Sequence, residues 1–219
     1  KMCGVKYAVA TSNGTTAGHL VMIASGIGSG DEVITTPFTF FATASVIIMA
    51  GAKPVFVDVE ESGFCLDPNQ VELAITEKTK AIQPVHLYGE LADMPSLTEI
   101  SKKNNLVMIE DSAQAHNADS WGSKAGSFGN AGWFSFYPTK NMTTSEGGII
   151  TTNDEKTANL CKVLRAHGMT AQYQHTEFGY NYRMTDISAA IGRVQLTKLD
   201  QFNSRRREIA DKYNALLSK

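Results

Sequence analysis

Two residues, Lys140 and Asp111, combine an amine and a carboxylate at positions where both could do chemistry. Lys140 follows Phe134–Tyr137 and a Pro-Thr turn, and it precedes the tight Glu146–Gly148. Asp111 comes directly after the hydrophobic run Leu106–Ile109 and one further acid. A lysine amine can form a Schiff base with an aldehyde, and a carboxylate can keep a pyridine nitrogen protonated so that the ring accepts electrons. The pair therefore predicts a pyridoxal phosphate enzyme.

Each of these two residues also has an ordinary structural explanation. Most lysines are solvated, and a carboxylate after a strand is often a helix cap or a surface charge. Against this, ligands of open parallel sheets bind beyond the carboxyl ends of strands, where Asp111 could pair with a pyridinium N–H. An amine that forms imines must lose a proton readily, so the structured turn before Lys140 is a suitable setting.

Further polar residues could hold the same cofactor. In the strand–helix turn Thr11–Thr16, Gly14 would let the backbone approach an anion, and the first helical amides with the Thr15 hydroxyl could bind a phosphate. Ordinary helix capping is the alternative explanation of this turn. Ser135 offers another hydroxyl for the phosphate, and its alternative is a structural role. Gln114 could hydrogen-bond a ring oxygen of the cofactor, and its alternative is a solvent-facing side chain.

Aromatic and histidine residues follow other predicted strands. One phenylalanine of Pro37–Phe41 could cover the face of a flat ring, although core packing explains at least one of the three. His86 ends a further strand and could approach the site, but a buried, hydrogen-bonded role is the preferred interpretation. For His116, too, a structural role is preferred over a polar contact with the cofactor.

Composition excludes several classes of protein. The 219 residues are 42% hydrophobic and 19% charged, which fits one globular domain with a sizeable core. A net charge of −2 predicts no partner among nucleic acids or anionic membranes. There is no apolar run of membrane-spanning length, and we expect no secretory signal. Three well-separated cysteines form neither a disulfide framework nor a CxxC pair, so we expect a cytoplasmic protein without a metal.

Short β-type runs alternate with helical ones, which predicts an α/β fold with a mostly parallel central sheet flanked by helices. The predicted strands are 7–11, 33–36, 54–58, 81–85, 107–109, 132–137 and 148–152, and the predicted helices are 15–25, 40–50, 67–75, 96–104, 153–167 and 186–217.

The order of several motifs resembles the DegT/DnrJ/EryC/StrS family of sugar aminotransferases, which are pyridoxal phosphate enzymes of fold type I. The motifs are Ser-Asn-Gly-Thr, Thr-Pro-Phe-Thr-Phe, Pro-Val-His-Leu-Tyr-Gly, Ile-Glu-Asp-Ser-Ala-Gln-Ala, Ser-Phe-Tyr-Pro-Thr-Lys-Asn, Glu-Gly-Gly and Gly-Tyr-Asn-Tyr-Arg-Met-Thr-Asp. The resemblance covers essentially the whole chain, and the strings around Lys140 and Asp111 are the most specific.

The resemblance implies catalytic and ring-binding roles for four residues. Lys140 matches the lysine that forms the Schiff base with pyridoxal 5′-phosphate. Asp111 matches the acid paired with the pyridine nitrogen. Gln114 matches the residue near the phenolic oxygen, and Phe40 matches the aromatic residue stacked on the ring.

The resemblance also implies phosphate contacts and an assembly. Gly14, Thr15 and Ser135 match residues that contact the cofactor phosphate. Asn181 resembles an asparagine that reaches the phosphate of the neighbouring subunit. The family works as a homodimer with its sites at the subunit interface, so a homodimer is expected here.

The chain departs from the family pattern in length and at two positions. Family members run to nearly twice this length, so we expect residues 1–185 to form the cofactor-binding large domain. Residues 186–219 should then be C-terminal helices leading toward an absent small domain, which leaves the sugar-nucleotide pocket incomplete. Asn117 and Ser145 stand where glycine is expected, and a positive φ there would be strained.

The predicted reaction is the transfer of an amino group from an amino acid, with glutamate expected, to the keto group of a nucleotide-linked sugar. One alternative is a related sugar dehydratase, in which a histidine replaces the Schiff-base lysine. Another is a non-catalytic, truncated paralogue, which would stay colourless with pyridoxal phosphate. A nucleotide-binding domain using Ser12–Thr16 is disfavoured because neither GxGxxG nor GxxxxGK[ST] is present.

Overall fold

The structure, a computed structural model, describes residues 2–217 as a seven-stranded sheet flanked by helices, with two small hairpins. The strands are β1 (Tyr7–Thr11), β2 (Glu32–Thr35), β3 (Lys53–Phe56), β4 (Thr79–Ile82), β5 (Val107–Asp111), β6 (Asp119–Ser120), β7 (Ser123–Lys124), β8 (Ala131–Ser135), β9 (Gly148–Thr152), β10 (Met169–Ala171) and β11 (Gln174–His175). The helices are α1 (Gly14–Ala24), α2 (Ala42–Met49), α3 (Pro68–Leu73), α4 (Met94–Lys103), α5 (Glu155–Arg165) and α6 (Asp186–Leu217).

The strand order of the large sheet is β1-β9-β8-β5-β4-β2-β3. Strand β9 is antiparallel to both of its neighbours, and the other pairs are parallel. Six strands therefore point the same way, and their carboxyl ends share one edge of the sheet. The predicted α/β class with a mostly parallel sheet is confirmed.

Successive strand residues pack on opposite faces of the sheet, because side chains alternate along a strand. On one face, Val33, Ile109 and Trp133 pack with helices α1, α2 and α5. On the other, Ile34 and Met108 pack with residues of α3 and α4, and that face continues over Phe134 to α6. Strands buried on both sides explain the nearly continuous apolar runs in the sequence.

The predicted elements are present, with small differences at their ends. Residues 186–217 form one continuous helix of 32 residues, over the range that the sequence predicts to be helical. The strand predicted to reach Tyr137 ends at Ser135, and Tyr137 is exposed. The hairpins β6–β7 and β10–β11 were not predicted, because strands of two or three residues show no periodicity. No helix among residues 2–217 is both long and apolar enough to cross a membrane.

Candidate active site

A cavity of about 500 Å³ opens at the edge of the sheet where the parallel strands end. Its walls come from the segments that follow β1, β2, β5 and β8. Seven of the eight predicted site residues line it: Gly14, Thr15, Phe40, Asp111, Gln114, Ser135 and Lys140. The volume lies within the range typical of cofactor and small-molecule sites.

Lys140 lies in the loop between β8 and β9, partly buried in the cavity wall. Its backbone N–H donates to the Tyr137 carbonyl at 3.0 Å, which closes a turn around Pro138. Burial lowers the pKa of the Lys140 amine, and the charge of Asp111 acts in the opposite direction. A lowered pKa increases the fraction of neutral amine, which is the nucleophilic form.

Asp111 is the last residue of β5, and both of its carboxylate oxygens are held. Thr43 Oγ1 donates to Asp111 Oδ2 at 2.7 Å, and the Ala113 N–H donates to Oδ1 at 3.1 Å. Burial raises the pKa of Asp111 to about 6, although the Thr43 and Ala113 hydrogen bonds and the charge of Lys140 lower it. The carboxylate is therefore oriented and desolvated, and a cationic partner in the cavity would stabilise its ionised form.

Thr43 is a site residue that sequence reasoning missed. It lies on α2, 68 residues before Asp111 in sequence. Gln83 Nε2 donates to the Thr43 carbonyl at 2.9 Å, and the Thr39 and Thr43 hydroxyls are 2.9 Å apart. No local signal identifies such a residue, because the contact exists only once α2 packs beside β5.

Gln114 lines the cavity, and the oxygen of its side-chain amide is already bonded. The Tyr88 backbone N–H donates to Gln114 Oε1 at 3.1 Å, which assigns the oxygen to that side and leaves the NH₂ group as the available donor. Tyr88 has a φ of 57°. This orientation of Gln114 suits an acceptor such as a phenolate oxygen.

The turn before α1 forms an anion-binding corner. Asn13 caps the helix, because its side chain accepts from the Thr16 N–H at 2.9 Å and its own N–H donates to Thr16 Oγ1 at 3.2 Å. The N–H groups of Gly14 and Thr15, in the first turn, have no partner within residues 2–217. Free amides at a helix start favour a phosphate.

Gly14 is required at this corner by the packing of Ser135. A Cβ atom at position 14 would lie 2.6 Å from Ser135 Cβ. We expect Gly14→Ala to destabilise the protein by about 1–3 kcal/mol, measured by chemical denaturation. Gly28→Ala is the control: its nearest atom would be 3.8 Å away and its φ is not positive, so no loss of stability is expected. Equal stabilities for the two variants would contradict this packing argument.

Phe40 and Asn181 lie in more open surroundings. Phe40 is at the rim of the cavity with 68% of its surface exposed. Asn181 is exposed and does not line the cavity. It stands between Tyr180 and Tyr182, whose rings stack 4.8 Å apart. The structure therefore brings together every predicted site residue except Asn181, the one expected to serve a neighbouring subunit.

His86 lies behind the site and does not line the cavity. Its Nε2 donates to Glu110 Oε2 at 3.0 Å, and its Nδ1 accepts from the Ala92 N–H at 3.3 Å. Glu110 also accepts from three backbone N–H groups in the segment before β8, those of residues 126, 128 and 129. The preferred interpretation of His86 as a buried, fully hydrogen-bonded residue is confirmed, and Glu110 anchors the strand end that carries Asp111.

His116 joins the segment after Asp111 to strand β8. Its Nε2 donates to the Ser135 carbonyl at 2.8 Å, and its ring packs between Phe134 and Phe136. Burial lowers the pKa of His116 to about 4, so the ring is neutral at physiological pH. This is the structural role preferred from the sequence.

Asn117 and Ser145 both adopt left-handed backbone, with φ values of 66° and 68°. Glycine was expected at these two positions, and the conformation explains that expectation. Each non-glycine residue costs about 1 kcal/mol there.

The residues present fit a pyridoxal phosphate. The lysine and the acid line one cavity, free amides stand at its anion-binding corner, and Gln114, whose oxygen is already bonded, lines the same wall. Trp133 is a second wall residue that sequence reasoning missed.

Comparison with known proteins identifies the chain's relatives. The sequence profile of the DegT/DnrJ/EryC1/StrS aminotransferase family matches residues 1–219. A "Pleiotropic regulatory protein" of Geobacillus stearothermophilus is 50% identical over 97% of this chain and 57% of its own length. A GDP-perosamine synthase of Caulobacter vibrioides is 46% identical over 99% of this chain and 59% of its own length.

A solved structure of a relative has the same fold as this chain. The crystal structure of S. venezuelae DesV in complex with a ketimine intermediate superposes with a TM-score of 0.95 at 39% identity, covering 98% of this chain and 58% of DesV. The chain thus spans less than two thirds of the length of these relatives. It has the α/β fold of type I pyridoxal phosphate aminotransferases, and it belongs to the DegT/DnrJ/EryC1/StrS aminotransferase family.

Proposed function

We propose that the protein transfers an amino group from an amino acid, with glutamate as the expected donor, to the keto group of a nucleotide-linked sugar. The observation that carries this proposal is that Lys140 and Asp111 line one cavity at the carboxyl edge of the sheet. Pyridoxal 5′-phosphate is the cofactor of the family. The family match and the Caulobacter relative, a GDP-perosamine synthase, support a sugar nucleotide as the acceptor.

In this proposal Lys140 and Asp111 are the catalytic residues. Bound pyridoxal phosphate supplies an electron sink for the carbanion formed at the substrate carbon. Lys140 Nζ would hold the cofactor, and it would serve as the base that removes the proton from the donor's α-carbon and as the acid that delivers this proton to the cofactor's carbon. Asp111 keeps the pyridine nitrogen protonated, and its own two oxygens are fixed for that task by Thr43 and Ala113.

Five other residues would hold the cofactor. Gly14 and Thr15 would bind the phosphate through their free N–H groups and the Thr15 hydroxyl, with Ser135 as a further donor. Gln114 would donate its amide to the ring oxygen, and Phe40 would cover one ring face.

We further propose that the protein works as a homodimer, in which Asn181 reaches the phosphate in the partner subunit. Its exposure outside the cavity and the exposed rings of Phe40 and Phe41 support an interface here. Residues 1–185 would form the cofactor-binding domain, with 186–219 leading toward a small domain. The three cysteines, which are free and buried, support a cytoplasmic location.

Cofactor binding should depend on pH through Asp111. Its raised pKa of about 6 means that the carboxylate becomes protonated as the pH falls below 6, when it can no longer pair with a pyridinium. We expect pyridoxal phosphate affinity to fall below about pH 6, by up to roughly tenfold per pH unit. Thr43→Val removes a hydrogen bond that lowers this pKa, so the transition should move to higher pH.

Titrating absorbance-detected binding between pH 5 and 8 would measure both effects. Thr39→Val is the matched control, because Thr39 reaches Asp111 only through the Thr43 hydroxyl and should shift the transition less. A transition that stays at the same pH in Thr43→Val would contradict the proposed link.

The function itself is tested by absorbance and by product analysis. Purified protein given pyridoxal phosphate should turn yellow, and glutamate should remove the visible band. Adding GDP-, UDP- and dTDP-linked ketosugars together with ¹⁵N-glutamate should then yield a ¹⁵N-labelled amino sugar. A coloured protein that releases a deoxygenated sugar without nitrogen would instead establish the dehydratase, which the lysine at position 140 disfavours.

A non-catalytic role is the second candidate, because a relative 50% identical to this chain is named a pleiotropic regulatory protein. The grouping of Lys140, Asp111 and the oriented Gln114 around one cavity favours the enzyme. Protein that stays colourless in excess pyridoxal phosphate would favour the regulatory alternative.

A further inference from the structure

Helix α6 contributes little core to the domain. Within Asp186–Leu217, Leu199 is the one residue with a buried side chain. Leu199 packs in a small cluster that includes Ala115 and Met142. These two residues belong to the two segments that carry Gln114 and Lys140, so α6 lies across both parts of the candidate site.

Asn203, one turn after Leu199, contacts both segments through its side-chain amide. Its Nδ2 donates to the His116 carbonyl at 2.9 Å. Its Oδ1 accepts from Asn141 Nδ2 at 2.9 Å, and from Arg206 at 3.2 Å. His116 is two residues after Gln114, and Asn141 is the residue next to Lys140. One amide group therefore bridges the two segments.

Other polar residues of α6 contact the same two segments separately. Asn117 Nδ2 donates to Asp200 Oδ1 at 2.7 Å, and the Thr143 N–H donates to Gln195 Oε1 at 3.4 Å. Neither contact joins one segment to the other. Among the hydrogen bonds that α6 makes within residues 2–217, those of the Asn203 amide are thus the ones that join the two segments directly.

Both segments need external support. Each contains a non-glycine residue in left-handed backbone, Asn117 in one and Ser145 in the other. Such residues persist only where surrounding contacts hold them. The contacts of α6 fall within a few residues of both positions.

We propose that Asn203 is a positioning residue that sets the distance between the Gln114 segment and the Lys140 loop. Helix α6 would thereby hold these two parts of the site in place. This inference rests on the proposed function for its link to the cofactor. It follows that any movement of α6 would change the placement of Lys140 relative to the donor amide of Gln114. Asn203 does not line the cavity and touches no reacting atom.

Two substitutions separate the two contacts. Asn203→Ala removes both. Asn203→Asp keeps the oxygen that accepts from Asn141 and loses the nitrogen that donates to His116. Ser204→Ala is the matched control, because Ser204 is exposed on the same helix and, within the described residues 2–217, accepts only from Arg207, at 3.3 Å.

Hydrogen–deuterium exchange of the full protein measures the amide exchange rates of the two segments separately. In Asn203→Ala, we expect the amides of residues 115–118 and of 141–144 to exchange about tenfold faster than in Ser204→Ala. In Asn203→Asp, only 115–118 should exchange faster. If Asn203 merely packed the helix, both segments would loosen together in the Asp variant, and that result would overturn the proposal. If the Ala variant does not fold, the segment-selective result in the Asp variant decides alone.

Cofactor release tests the link to the site. Protein loaded with pyridoxal phosphate should lose it on dialysis about tenfold faster in Asn203→Ala than in Ser204→Ala. Equal rates of loss would contradict a positioning role. If the wild-type protein takes up no cofactor at all, the proposed function fails, while the exchange comparison still decides whether Asn203 bridges the two segments.

Discussion

Lys140→Ala is expected to abolish the covalent attachment of pyridoxal phosphate and to lower amino transfer by at least about 10³-fold. The variant loses the nucleophile and the proton-transferring base together, and general acid–base catalysis alone typically contributes 10²–10⁴. The cavity would remain, so the variant should still bind the cofactor non-covalently, through the phosphate corner at Gly14 and Thr15. The measurement is the visible absorbance of the loaded protein alongside single-turnover transfer from glutamate.

Lys156→Ala is the control for this experiment. Lys156 is an exposed residue in the first turn of α5, on a surface that does not line the cavity. Its removal should leave both absorbance and turnover unchanged. An unaltered absorbance band in Lys140→Ala would mean that another amine holds the cofactor.

Asp111→Asn should have the second-largest effect on turnover. It should lower turnover and raise the stability of the cofactor-free protein. An amide cannot hold the pyridine nitrogen protonated, so we expect turnover to fall by at least about a hundredfold, the value of one strong charge-assisted hydrogen bond. Asp119→Asn, in an exposed hairpin, is the isosteric control and should retain full activity. Full turnover in Asp111→Asn would remove Asp111 from the catalytic residues.

The same substitution should stabilise the cofactor-free protein near neutral pH. Burial raises the pKa of Asp111 from 3.8 to about 6, so in the wild type the protonated acid stabilises the fold at low pH. That contribution is lost as the pH rises through about 6. The neutral asparagine avoids this loss, and the variant should be more stable by about 1–3 kcal/mol at pH 8. The difference should vanish below about pH 4. Denaturation curves at pH 4 and pH 8 measure it.

Much of the fold could be predicted because local signals coincide with the observed elements. Asp67 and Asp154 cap the helices that the sequence predicts after them, and the apolar run before Asp111 is a buried strand. The direction of β9 could not be predicted, because an apolar strand reads the same in either orientation. Helix α6 covers the same residues as the helix that the amphipathic spacing predicts.

The site residues likewise include some that the sequence predicts and some that it does not. Residues at strand ends, such as Asp111 and Gln114, are recognisable because parallel strands bring their carboxyl ends to one edge. Thr43 and Trp133 were missed because their roles depend on which elements become neighbours. Nor does sequence spacing reveal Asn203, whose contacts reach back 62 and 87 residues along the chain.

The most direct test of the account is to find the residue that carries the cofactor. Protein loaded with pyridoxal phosphate would be reduced with borohydride, which fixes any lysine-linked cofactor irreversibly, and then digested and mapped by mass spectrometry. We expect one phosphopyridoxyl group, on the peptide that contains Lys140. A label on any other lysine, or a loaded protein with no label, would contradict it.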